Sequence, residues 1–248
     1  MPKFEKYEQK IRKYKEKLKK LVTRIGIFSS EEFELVDGEL KKLILPCHLG
    51  ILFYSDFDID LFRKIKSYLY QVFDSYFFEI RNLGQISFSK KLLSKGVKKE
   101  YKETKGINDK LRIHPTNKFY QSLIDIRTKE KLGMIIALSD LPIYSSSDDN
   151  ILFLFGETHL KHRCGVVSTL KLKEQFYDRQ KDNLLFEERV IKEIIHEIGH
   201  LLIGFTHCEE KSCVMRFSKD IDEIDKKSYY LCENCKNKLN KIRKDFNF

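Results

Sequence analysis

LLFEERVIKEIIHEIGHLLIGFTHC, residues 184–208, is the most informative segment of the chain. Between Leu184 and Ile203, the residues Leu184, Leu185, Val190, Ile191, Ile194, Ile195, Ile198, Leu201 and Leu202 cover most of a helical surface. A helix that apolar has little face to offer water, so it is expected to lie buried beneath a sheet. His196 and His200 stand four apart inside it, which puts both imidazoles on one face where they can grip one ion. Glu197 follows His196, turned about 100° around the axis, within reach of a water on such an ion. Neutral imidazole nitrogens suit zinc, and three protein ligands plus water make an open site of the catalytic kind. The bland alternative is a pair of buried histidines satisfied by hydrogen bonds.

Downstream the signal sharpens. Gly204 is able to reverse the chain with φ > 0, and His207 is a candidate third ligand. Cys208 follows at once, then Cys213, Met215, Cys232 and Cys235. The spacing Cys-x4-Cys, an 18-residue gap and Cys-x2-Cys is that of a closed tetrahedral zinc site with four thiolates. Cys232-x-x-Cys235 alone would also suit a redox pair, but it lacks the setting at the start of a βαβ unit. Cys47 and Cys164 fall outside the knuckle spacing and read as buried thiols.

Upstream, from about Leu43, short apolar runs alternate with helical patterns. Ile51–Tyr54 and Tyr76–Ile80 read as strands, with Ile59–Phe73 between them at helical spacing and Asp56 or Asp58 as its N-cap. Residues 89–116 are polar, Lys-rich and punctuated by Gly, the composition of a long surface loop. A helix near Asn117–Ile126 leads to strands near Gly133–Leu138, Ile151–Phe155 and Gly165–Leu170. Strands alternating with helices predict an α/β layer with a largely parallel sheet.

Composition sets the frame. The chain has 248 residues, 42 % hydrophobic and 34 % charged, which is globular rather than disordered. No apolar run approaches the length of about 18 residues that spans a bilayer, and the start MPKFEKYEQK lacks the apolar core of a secretory signal. A cytoplasmic, reducing location with no membrane contact is the expectation, and in it cysteines serve as metal ligands rather than disulfides. The net charge of +10 is concentrated at the ends. Residues 1–24 hold ten Lys and Arg against three Glu, and residues 226–248 hold seven against two acids, so the body between is close to neutral. That distribution argues against a nucleic-acid enzyme. Phe4, Tyr7, Ile11, Tyr14, Leu18, Leu21 and Ile25 form a heptad seam. Residues 1–42 therefore read as a basic helix and linker, and residues 4–25 as a surface for docking, a partner or self-association.

HEIGHLLIGFTHC (196–208), CEEKSCVM (208–215) and CENC (232–235) together resemble the signature of the archaemetzincins, a branch of the metzincin metallopeptidases. More weakly, SDLPIY (139–144), ILFLFGETHL (151–160) and GVVSTLKL (165–172) are similar to the last three core strands of that family. The resemblance implies two zinc ions per chain. One is catalytic, on His196, His200 and His207 with Glu197 as general base; the other is structural, on Cys208, Cys213, Cys232 and Cys235. Met215 would form the methionine turn beneath the catalytic ion. It further implies a mixed, mostly parallel sheet with an antiparallel edge strand, taken as Ile151–Phe155, over the buried HExxH helix. Residues 43–248 would form this metallopeptidase domain, with a small zinc-stapled C-terminal part (208–235) and a terminal helix, acting on a peptide or protein substrate. The chain departs from the family pattern by one extra residue between His200 and Gly204, and by one fewer between Met215 and Cys232. Ending the helix one position later would absorb the first. The competing expectation is an inactive zinc-binding adaptor whose basic terminal helices bind nucleic acid or an acidic protein. Tyr144, His159 and His162 are further candidates near the cleft, while His48 and His114 have no context that raises them above ordinary histidines.

Overall fold

A computed structural model describes residues 44–54, 57–89, 93, 97–100, 110–146 and 153–248. The heptad seam of residues 4–25 and the 1–42 segment lie outside the described residues. The main sheet has five strands: β1 (Cys47–Phe53), β2 (Phe77–Gln85), β5 (Met134–Ser139), β8 (Gly156–His159) and β9 (Cys164–Ser168). Their order is β2-β1-β5-β9-β8. All neighbours run parallel except β8, which pairs antiparallel with β9 and forms one edge.

The central strands are apolar on both faces because both faces are covered. In β5, Met134, Ile136 and Leu138 enter one core, and Ile135 and Ala137 enter the other. Helices α1 (Ile59–Phe73) and α3 (Asn183–Ile203) fill the first side. Helix α2 (Asn117–Lys129) fills the second with Phe119, Tyr120 and Leu123. Helices α1 and α3 each start at an aspartate cap. Asp58 accepts from the Asp60 N–H at 2.9 Å, and Asp182 accepts from the Leu185 N–H at 2.9 Å.

Two expectations need correction. The antiparallel edge strand is Gly156–His159, not Ile151–Phe155; within the latter, Phe153–Leu154 forms β7, which pairs with β6 (Ile143–Tyr144) in a second sheet. Gly156, at the junction, would have marked the boundary. The polar stretch 89–116 is also not simply a loop. Residues Val97–Glu100 (β3) pair antiparallel with Lys110–Pro115 (β4), and β4 pairs parallel with β6. Lysine-rich composition hid this ladder, although Ile113 and His114 are buried.

A short helix α4 (Ile221–Lys226) and a longer α5 (Glu233–Phe246) follow α3. Helix α5 docks on its own domain. Leu239 is buried, its carbonyl accepts from the Tyr76 hydroxyl, and the Tyr76 ring meets Phe248 edge-on. Among the described residues no helix is long and apolar enough to cross a membrane.

Candidate metal centre

Helix α3 carries the site through the middle of the first core, packed against β8 and β9. Every residue from Arg189 to Leu202 is buried, including His196, Glu197 and His200. The helix continues to Ile203, and Gly204 ends it at φ +81°, its N–H donating to the His200 carbonyl. The extra residue between His200 and Gly204 is thus taken up inside the last turn. Its φ explains why glycine stands at 204, since a side chain there would meet backbone strain. Beyond the reversal, the chain returns His207 over the helix.

His196, His200 and His207 each offer a ring nitrogen within 4.8 Å of the others. The tautomers follow from their neighbours. Nδ1 of His196 lies 2.8 Å from the Val214 carbonyl, and Nδ1 of His200 lies 3.0 Å from the Gly204 carbonyl. A carbonyl only accepts, so both Nδ1 atoms carry the proton and both Nε2 atoms carry lone pairs. Those two Nε2 atoms face each other at 3.0 Å. Two lone pairs held nose to nose repel each other unless a proton or a metal ion sits between them. Tetrahedral zinc with Zn–N of about 2.0–2.1 Å would place ligand nitrogens about 3.3 Å apart, close to this spacing. The donor set therefore fits zinc.

Burial reinforces the choice. It pushes His200 down to about 4, and His207 to about 2, with His200 and the Lys227 ammonium adding to the effect on His207. His196 is driven well below its ordinary value by burial and by Lys227. Neutral imidazoles are the form that binds metal.

Glu197 lies beside this cluster, under the edge strand. An added Cβ at Gly156 would stand 2.5 Å from Glu197 Oε1, so β8 runs directly against the carboxylate and needs a glycine there. Thr158, two residues on and on the same face of β8, gives it a hydroxyl hydrogen bond. Burial, then the carboxylates of Glu193 and Glu157, hold Glu197 well above the usual carboxylate range; Lys227 and Thr158 oppose them. The alternate residues of β8 face α2 instead: the Tyr120 hydroxyl donates to Glu157 Oε2 at 2.6 Å, and the His159 ring packs on Tyr120. The His159 ring lies tilted against His162 on that side, and neither joins the three histidines; Tyr144 stands on β6 in the second sheet.

Met215 packs under the site. A Cβ on Gly199 would collide with its thioether, so helix and turn meet only because residue 199 has no side chain. Gly199→Ala is expected to destabilise the fold by about 1–3 kcal/mol through overpacking, seen as a fall of several degrees in melting temperature; an unchanged melt would mean Met215 moves freely aside.

The four thiols form a second cluster. Cys208, Cys213, Cys232 and Cys235 bring their sulfurs within 4.8 Å of one another, and none is in a disulfide. Cys213 and Cys235 Sγ lie 3.8 Å apart, and Cys208 and Cys232 Sγ 3.5 Å. Four thiolates on zinc at about 2.3 Å would sit about 3.8 Å apart. Cys232 is the N-cap of α5, where burial would raise its thiol but hydrogen bonds from the Cys235 N–H and the neighbouring thiols bring it down to about 7. The two clusters are joined covalently, since His207 and Cys208 are adjacent, and the Cys208 N–H donates to the Met215 carbonyl at 2.9 Å. Cys47 and Cys164 are buried and separate, and burial raises the Cys47 thiol to about 12.

Sequence reasoning did not single out Gly156, Thr158, Glu193, Val214 or Lys227. Only Glu193 left a trace, standing nearly one turn before His196 on the same helix.

Comparison with known proteins converges on one family. The sequence model of peptidase family M54 matches residues 51–241. An archaemetzincin from Sulfolobus acidocaldarius is 45 % identical over 92 residues, 37 % of this chain and 50 % of that protein. One from Methanocaldococcus jannaschii is 38 % identical over 106 residues, 43 % of this chain and 57 % of that protein. The matched stretch thus spans little more than half the length of these curated relatives. Among solved structures, an archaemetzincin from Archaeoglobus fulgidus in complex with malonate superposes with a TM-score of 0.55 at 26 % identity, covering 77 % of this chain and 99 % of that one. An archaemetzincin from Methanopyrus kandleri, at 22 % identity and a TM-score of 0.55, covers 79 % of this chain and 95 % of that one and shares the fold. With the family match running from the first strand through the last cysteine, the chain belongs to peptidase family M54.

Proposed function

We propose that this chain is a zinc-dependent peptidase that hydrolyses peptide bonds, with two zinc ions per chain. His196, His200 and His207 would hold the catalytic ion, and Cys208, Cys213, Cys232 and Cys235 the structural one. The observation that carries this reading is the pair of His Nε2 lone pairs facing each other at 3.0 Å, with Glu197 buried beside them. Zinc bound there would supply Lewis-acid polarisation of a carbonyl and a water of lowered pKa.

The remaining chemistry belongs to the protein. The Glu197 carboxylate would take the proton of the attacking water and deliver it to the nitrogen of the leaving amine. Its environment suits both halves: burial and the neighbouring carboxylates make it a strong proton acceptor, and the Thr158 hydroxyl orients it. Gly156 lets the edge strand pass close above the carboxylate, which brings any chain lying along β8 near the reacting atoms. Val214 and Gly204 carbonyls lock two imidazoles in the ligating tautomer.

The inactive adaptor is disfavoured. A purely structural ion has no use for a buried carboxylate beside it, and the basic C-terminal helix lies on its own domain rather than standing free. The test is metal removal. Elemental analysis should return two zinc ions per chain, and stripping them with a chelator should abolish cleavage of a peptide library until zinc is restored. Undiminished cleavage by protein shown to be metal-free would reject the proposal.

A further inference from the structure

The strongest unexplained feature near the site is a buried ion pair that touches none of the candidate ligands. Lys227 Nζ lies 3.3 Å from Glu193 Oε1, with their side chains 1 % and 4 % exposed. Burying two charges is costly, and a buried pair is often no better for stability than two apolar side chains of the same volume. A stability role is therefore a weak explanation for it. Its placement suggests another. Glu193 sits on α3 nearly one turn before His196, and Lys227 follows α4. Lys227 Nζ also lies 3.5 Å from the Val214 carbonyl, the same oxygen that takes the His196 Nδ1 proton at 2.8 Å. The segment that bears the lysine is itself stitched to the turn: the Ser228 N–H donates to the Ser212 carbonyl, and the Val214 N–H to the Tyr230 carbonyl.

We infer that Lys227 and Glu193 are positioning residues for the His196 ligand, holding the Val214 carbonyl in place from the helix that carries His196. The inference rests on the proposed metal site. Glu193 fixes the ammonium, the ammonium and His196 converge on one oxygen, and that oxygen sets which His196 nitrogen faces the ion. His200 has no such device because its carbonyl partner, Gly204, is the cap of its own helix. The pair also keeps the neighbourhood neutral. Without Glu193, a buried ammonium would oppose a dication at the histidines.

Cobalt(II) titration tests this, because thiolate-to-cobalt charge transfer reports the ion at the cysteine cluster, and the cobalt bound per chain beyond that ion reports the histidine cluster. Two variants are compared with the wild type: Glu193→Gln, which keeps the shape, and Lys227→Met/Glu193→Leu, which replaces the pair by apolar volume and preserves packing. Both are expected to fold, to keep the charge-transfer band, and to weaken cobalt binding at the histidines at least tenfold, the scale of lost outer-sphere support. Histidine-site affinity equal to wild type in either folded variant overturns the inference. Joint loss of cobalt from both clusters with unfolding in both variants would make the pair a fold element and would also overturn it. Failure of the wild type itself to bind cobalt at the histidines would instead overturn the proposed metal site, so the two failures are distinguishable.

Discussion

Glu197→Ala is expected to lower the rate of peptide-bond hydrolysis by about 10²–10⁴-fold, the range that a positioned proton-transfer group contributes, while both zinc ions remain bound. The carboxylate is not a ligand in this arrangement. It lies under Gly156 and Thr158, and the three imidazole nitrogens within 4.8 Å of one another do not include it. Removing it should therefore leave the donor set and the two carbonyl-locked tautomers intact. The removal should also relieve strain: a buried carboxyl held well above its ordinary range by burial, Glu193 and Glu157 is an unfavourable group in the metal-free protein. The variant is accordingly expected to melt no lower than the wild type when both are metal-free. A peptide-library digest of the two proteins side by side, with zinc content measured, is decisive. Cleavage at the wild-type rate by a zinc-loaded Glu197→Ala protein would sink the mechanism.

The second large effect is expected from Cys208→Ala, which should reduce bound zinc from two ions per chain toward none. Loss of one thiolate opens the cysteine cluster, and structural zinc sites contribute on the order of 10 kcal/mol to folding of small zinc domains. The damage should not stop there, because Cys208 and His207 share a backbone unit. The Cys208 N–H is bonded to the Met215 carbonyl, and the Val214 carbonyl next to it holds His196. Freeing residue 208 loosens both the third imidazole and the turn beneath the first. Elemental analysis of wild type and variant measures the coupling. Retention of one zinc with full hydrolysis would mean that the two clusters are energetically independent in spite of their adjacency.

Much of this was legible along the chain. The spacing of His196, Glu197 and His200 needs only the pitch of a helix, and the apolar residues around them need only a buried helix to explain them. The cysteine spacing likewise announced a four-thiolate cluster, and Ile59–Phe73 emerged with its Asp58 cap as its pattern implied. These features are local, repeating over a few residues, and local periodicity is what a sequence displays. The misplaced elements are the short ones. Gly156–His159 and the β3–β4 ladder pair with the next strand along the chain, His159 opposite Cys164 and Glu100 opposite Lys110, but strands of four residues carry almost no pattern of their own.

Other features had no local signal at all. That the extra residue before Gly204 is absorbed depends on a backbone reversal at φ +81°, which glycine permits but does not announce. That Gly156 faces Glu197, and Gly199 faces Met215, depends on which surfaces meet. Lys227, one of 47 basic residues, became significant only where folding buried it against Glu193 and Val214. Covalent spacing and helical pitch account for the candidate donor atoms, their order and the helix that presents them, so all three could be read along the chain. Their protonation, their tautomers and the neighbours that hold them came with folding alone, because burial and long-range contacts set those quantities and no pair of adjacent residues encodes them.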